Sequence, residues 1–198
     1  MGEGEYLGEA IRQFRGLKKV ADRALAQTAS PDFFTTLDEE SNSIALIVKH
    51  LAGNMRSRWT DFLTSDGEKK DRHRDSEFVL EPGDTRESLE HRWHEGWSLL
   101  FSAVEPLAAE DLRRTVRIRG ESLPVLRAIN LQMGHYAYHI GQLVLLAKHF
   151  AGSRWQSLSI PRGKSEEFKA RRREGREQAG PSSKGLSSKR QPGTRGAE

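Results

Sequence analysis

Two histidines four residues apart, His135 and His139, stand in the run Gly134-His-Tyr-Ala-Tyr-His-Ile-Gly-Gln142, inside a stretch with the apolar content of a buried helix. Residues at i and i+4 lie one above the other on a helix, so both imidazoles can reach one divalent ion at about 2.0–2.1 Å per nitrogen. Two imidazoles are only half a tetrahedral shell, and a buried histidine is more often a packing residue bonded through one nitrogen. A third ligand must come from His50, His73, His91, His94 or His149. His149 shares the helix face but lies roughly 15 Å from His139 along the axis, too far for the same ion. His91 points away from the apolar seam of its helix, His94 sits at the seam's edge, and His73 falls in a charged loop. His50 lies beside Ile47, Gly53 and Asn54, off the centre of its apolar stripe, a position that suits a polar cavity and solvent equally.

Helical periodicity in four segments supplies the elements that must position these side chains. Leu7, Ile11, Phe14, Leu17, Ala21 and Leu25 recur at spacings of three and four, which predicts a first helix over roughly 6–27. A second begins near Ser43, with Asn42 or Ser43 as its cap, and places Ile44, Val48, Leu51, Met55, Trp59 and Phe62 on one side. A polar connection over 66–75 leads to Glu81-Pro-Gly-Asp84, with Asp84 and Glu87 at capping-box spacing ahead of a third helix that buries Leu89, Trp93, Trp97, Leu100 and Val104. Arg113 to Gly120 alternates in polarity and reads as a short extended piece rather than helix, and no real sheet is expected from it. Ser122 and Pro124 open a fourth helix, apolar nearly all round to Phe150 and therefore expected at the centre. Ala128, Leu131, Gln132, Gln142 and Leu146 fall near the line of His135, a mixed face that reads as a cavity wall. The expectation is an all-α four-helix bundle, an architecture that commonly builds metal sites in its core.

Charge separates this body from the carboxy-terminal residues. The whole chain carries 32 Lys/Arg against 28 Asp/Glu; residues 162–198 hold 11 against 5, which leaves 21 against 23 for residues 1–161. The folded part is thus slightly acidic, and a nucleic-acid partner is expected only through the basic tail. That tail, rich in Arg, Ser, Gly and Pro, has too little apolar content to offset chain entropy and reads as disordered over 169–198, after a domain over 1–168. The absence of cysteine removes disulfides, thiolate ligands and a cysteine nucleophile together. With no signal-like amino terminus and no apolar run of membrane-spanning length, a cytoplasmic protein without a membrane partner is expected. Gly163-Lys-Ser165 lacks the glycine that a phosphate loop needs five residues earlier, where Leu158 stands, and no Gly-x-Ser-x-Gly elbow occurs.

The run Ser41-Asn-Ser-Ile-Ala-Leu-Ile-Val-Lys-His-Leu-Ala-Gly-Asn-Met55, together with His135-Tyr-Ala-Tyr-His-Ile-Gly-Gln142 and Ser157-Leu-Ser-Ile-Pro-Arg-Gly-Lys-Ser165, resembles the DinB-like superfamily, which includes the YfiT-like metal-dependent hydrolases. Within it the chain is most similar to a bacterial family of unknown function, over about residues 5–168. The resemblance implies a DinB/YfiT-like four-helix bundle in which His50, His135 and His139 hold a divalent metal, zinc or nickel. It implies an enzyme, hydrolase or low-molecular-weight-thiol transferase, with a small-molecule substrate or thiol as partner and a homodimer as assembly. The competing expectation is a non-catalytic metal-binding bundle with a basic interaction tail. Asp61, about 20° from His50 by helical angle, and Glu95 are the acidic candidates for a general base, each also readable as a solvated carboxylate.

Overall fold

The computed structural model describes residues 2–178. It is mostly helical, with six helices: α1 Glu3–Leu25, α2 Ser30–Phe34, α3 Ile44–Trp59, α4 Arg86–Val104, α5 Val125–Ala151 and α6 Ser165–Gln178. Two short strands, β1 Thr115–Ile118 and β2 Glu121–Pro124, pair as an antiparallel hairpin. The first compact unit is Met1–Gln156, and a second begins at Ser157. No helix among the described residues is long and apolar enough to cross a membrane.

In the first unit α3 packs against α4 and α5, while α1 packs against α5 and α4, so the four long helices close on one another. The predicted seam of α4, Leu89, Trp93, Trp97, Leu100 and Val104, is buried throughout, and that of α1 buries Leu7, Phe14, Ala21 and Leu25 while Ile11 and Leu17 are half-buried. The centre is α3, however, and not the last long helix. Nearly every side chain of α3 is buried, including Lys49, His50, Asn54 and Arg58, because α2, α4, α5 and the 3-10 turn Arg74–Phe78 all lie against it. Helix α5 instead leaves Leu131, Tyr138 and Leu145 exposed, so its all-round apolarity does not reflect a central place.

The ends of the helices show which polar residues cap and which do other work. Ser43 caps α3, its hydroxyl accepting from Leu46 N–H at 3.2 Å. Helix α4 is capped by Thr85, whose hydroxyl accepts from Ser88 N–H at 3.1 Å, and not by Asp84. Asp84 is turned inward and buried, accepting from Lys49 Nζ at 2.6 Å and from Arg92 Nη2 at 2.8 Å.

The hairpin corrects the reading of 113–120 as a lone extended piece. Val116 pairs with Leu123, and both are buried, which gives a two-residue-period face something to bury. The turn is Arg119-Gly120, with φ of 56° and 78°. Asp66 holds its backbone, one carboxylate oxygen accepting from Arg119 N–H at 2.9 Å and the other from Gly120 N–H at 2.7 Å.

Where disorder was expected from residue 169, helix α6 runs on to Gln178. Glu166 pairs with Lys169 and Lys164 with Glu167, both at i, i+3, and such pairs give a helix of little apolar content local support. The remainder of the expected tail, 179–198, lies outside the described residues.

Candidate metal centre

His50 comes from the middle of the buried helix α3, His135 and His139 from successive turns of α5. The three offer nitrogens that all lie within 4.8 Å of one another. His50 Nε2 is 3.1 Å from His135 Nε2, and the ring of His139 lies 4.8 Å, centroid to centroid, from each of the other two. Two nitrogens bound to one tetrahedral ion at about 2.0–2.1 Å would stand about 3.3 Å apart, close to the spacing of this pair, which is also that of a direct hydrogen bond between the two rings.

Neighbours fix which nitrogen is free in two of the three rings. Glu77, on the 3-10 turn, accepts from His50 Nδ1 at 2.8 Å, which leaves the Nε2 lone pair directed at the cluster. Gln142, one turn beyond His139 on α5, lies with its Oε1 3.0 Å from His139 Nδ1 and leaves Nε2 free in the same way. His135 Nδ1 is buried without a hydrogen-bond partner. Burial pushes the His135 imidazole down to about 3, with His139 and His50 adding to the effect, so the ring is neutral at ordinary pH. His139 is also lowered, by burial and then by His50, against the opposing bond to Gln142. Neutral imidazoles with free nitrogens are the form in which histidine binds a metal.

Glu77 is held in turn. Arg72 grips it with two bonds, Nε to Oε1 at 2.8 Å and Nη2 to Oε2 at 2.9 Å. Burial by itself would raise the Glu77 carboxyl, but the bonds from His50 and Arg72 and the guanidinium charge keep it below its ordinary value and therefore ionised. Arg72 Nη1 reaches Glu68 at 3.2 Å, and Glu68 also accepts from Arg58 Nη2 at 2.9 Å and from Arg119 Nε at 3.1 Å. Arg58 Nη1 donates to the carbonyl of Gly67 as well. An alternating chain of charges thus runs from His50 to the hairpin turn. Its carboxylate next to the imidazole is the usual outer support of a metal-binding histidine.

Helix α5 is registered against α3 by a fully buried tyrosine adjacent to His135. Tyr136 Oη accepts from Trp59 Nε1 at 2.9 Å and donates to Asn54 Oδ1 at 3.1 Å. A cavity of about 650 Å³ opens beside the histidines; Asn54, Gln132 and Tyr138 line it, and the arginines 58, 72, 74 and 119 line it as well. Among the described residues no carboxylate lines it.

The acidic candidates read from helical angle do not reach the site. Helix α3 ends at Trp59, and Asp61 follows in a turn with φ of 49°, lining a separate pocket with Phe62 and Leu99. Glu95 is exposed on α4 and pairs with the exposed His91 at 3.2 Å. His73, His94 and His149 are exposed and absent from the cluster. Glu77, Arg72 and Glu68 escape a reading by period because they sit in a segment that has none. Gly53 was the available signal, a glycine one turn from His50 inside a helix, which marks close approach by something else.

The family model described as protein of unknown function (DUF1572) matches residues 2–164. The chain belongs to that family. No curated protein and no solved structure matches it.

Proposed function

We propose that this chain is a metal-dependent enzyme of the DinB-like superfamily, a four-helix bundle in which His50, His135 and His139 hold one divalent ion, zinc or nickel, beside a substrate cavity. One observation carries the reading: three imidazole nitrogens within 4.8 Å of one another on the wall of a cavity of about 650 Å³. Three protein ligands leave a coordination position for water or a small thiol, and an ion there would lower the pKa of that ligand toward neutrality. Glu77 and Gln142 keep His50 and His139 in the tautomer that points Nε2 inward. Both oxygens of Glu77 are committed, and among the described residues no carboxylate lines the cavity, so none of them stands ready as general base. That favours reactions whose nucleophile loses its proton on the ion. Transfer of a low-molecular-weight thiol needs the least help, since a free thiol already titrates near about 8.5; hydrolysis by bound water is the second form of the same proposal.

Metal content per chain tests the reading. Wild type should hold one ion, and His50→Ala, His135→Ala or His139→Ala should each lower retention at least tenfold, whereas His91→Ala and His94→Ala should not. Cobalt in place of the native ion should show a visible spectrum that shifts when azide or a small thiol is added. A spectrum indifferent to every added ligand would return the chain to the non-catalytic, metal-binding reading. The proposal extends to a cytoplasmic homodimer, and a monomeric sedimentation profile at micromolar concentration would remove the dimer.

A further inference from the structure

The cavity beside the histidines is unusually rich in guanidinium groups. Arg58, Arg72, Arg74 and Arg119 line it, and Glu68 and Glu77, which pair with three of them, are not among its lining residues. Arg58 and Arg72 are buried and held by these acids. Arg74 and Arg119 differ in exposure, with side chains 51% and 60% exposed, although Arg119 Nε also donates to Glu68 at 3.1 Å. The pair nearest Arg74 is Asp75 at 3.7 Å, a wholly exposed carboxylate, and a surface pair of that length constrains little.

Both of these arginines are nonetheless positioned. The Arg74 guanidinium lies over the Phe78 ring at 5.0 Å, and Phe78 packs on the ring of His50 at 4.7 Å, so Arg74 stands one aromatic layer from a histidine of the site. Arg119 occupies the first central position of a tight hairpin turn with φ of 56°, where Asn, Asp or Gly is the usual residue. The backbone there is strained for an arginine, and Asp66 clamps it in place. A strained residue whose side chain lines a cavity is a pointer to function. Guanidinium forks match carboxylate and phosphate groups in two-point geometry, which an ammonium does not. Gln132 adds a buried Oε1 without a hydrogen-bond partner on the same wall, an acceptor for a hydroxyl or amine on the same ligand.

We propose that the cavity takes a small molecule bearing a carboxylate or phosphate group, held by Arg74 and Arg119 beside the three histidines. The proposal rests on reading this cavity as the substrate site, but the anion is recognised by the chain's own arginines and does not require the ion. The substrate, or the thiol donated to it, is therefore anionic, and one end of it is anchored at the hairpin turn.

Calorimetric titration of the full-length protein at low ionic strength tests this, with malonate and inorganic phosphate as probes and malonamide as the uncharged counterpart of malonate. Malonate or phosphate should bind and malonamide should not, and the stronger of the two anions names the group recognised. Arg74→Gln and Arg119→Gln should each weaken binding at least tenfold, while Arg15→Gln, outside the cavity and paired with Glu105, should leave it unchanged. The basic carboxy-terminal residues are common to every variant and cannot produce that difference. His139→Ala should retain anion binding within a few-fold. Equal binding of malonamide, or wild-type affinity in both arginine variants, overturns the proposal. Loss of anion binding in His139→Ala with the arginine variants unaffected also overturns it, since the anion would then sit on the ion. A wild type that binds malonate through the two arginines yet holds no ion would leave this inference standing and sink the metal-dependent reading alone.

Discussion

Gly53 and Glu77 are in direct contact: a methyl group added at residue 53 would stand 2.8 Å from the Glu77 carboxyl carbon, inside any real non-bonded distance. The glycine is what allows a loop carboxylate to lie flat against α3 one turn from His50 and reach its Nδ1. In a free helix alanine is favoured over glycine by about 1 kcal/mol. Gly53→Ala should here do the reverse, pushing Glu77 off His50 and lowering metal affinity about tenfold or more in chelator competition. Unchanged affinity would show that Glu77 does not support the imidazole.

Glu77→Gln separates charge from shape. The amide can still accept from His50, but it binds Arg72 less well and brings no charge to the imidazole. Loss of such an outer partner typically costs 10–100-fold in metal affinity, roughly the range expected here. Asp61→Asn and Glu95→Gln, whose carboxylates lie elsewhere, should match wild type in metal affinity and in any activity found. An effect of Asp61→Asn on either would contradict the geometry.

These acids also show where the sequence was legible. The spacing of His135 and His139 on one helix is a local property, and periodicity carries it. His50 needed the resemblance, because its angle on α3 suits solvent and cavity alike. Asp61 was placed by extending a helix that in fact stops at Trp59, so its inferred angle referred to backbone that is not helical. Glu77 depends on a tertiary contact between an irregular loop and α3, and no period in the chain encodes that. The hairpin was half read: alternation over 113–120 was visible, but its partner strand Glu121–Pro124 is short and ends in a proline that also opens α5.

Tyr136→Phe should test the registration of α5 on α3. The phenylalanine leaves Trp59 Nε1 buried without its acceptor and removes the donor to Asn54. A loss of about 1–3 kcal/mol is expected in denaturant unfolding, the usual cost of a stranded buried polar group. Stability equal to wild type would mean that the indole finds another acceptor.

Acid should find Asp84. Burial opposes its ionisation, yet the bonds from Lys49 and the Glu81 backbone, with the Lys49 charge and Arg92, hold its carboxyl below the ordinary value. A carboxyl lowered by folding contributes stability that is fully present above its unfolded pKa, about 4, and is lost as pH falls through the folded value. Asp84→Asn should flatten that part of the stability profile below about pH 4. It should also cost about 3–5 kcal/mol at neutral pH, because Lys49 is left buried with its close partner gone. An unaltered acid limb in the variant would assign that loss to other carboxylates.

Lys49 and His50 are consecutive residues of α3, and both hold the same stretch of chain. Lys49 Nζ donates to the Val79 carbonyl at 2.7 Å and to Asp84, while His50 engages Glu77. Neighbours on a helix diverge by about 100°, so the two grips fall on different sides of one cylinder. The segment from Glu77 to Asp84 cannot peel away gradually from either end. Lifting it strands an ammonium in the interior and unlatches the imidazole in the same event, so the segment, whose Phe78 lines the cavity, is expected to open as one cooperative unit.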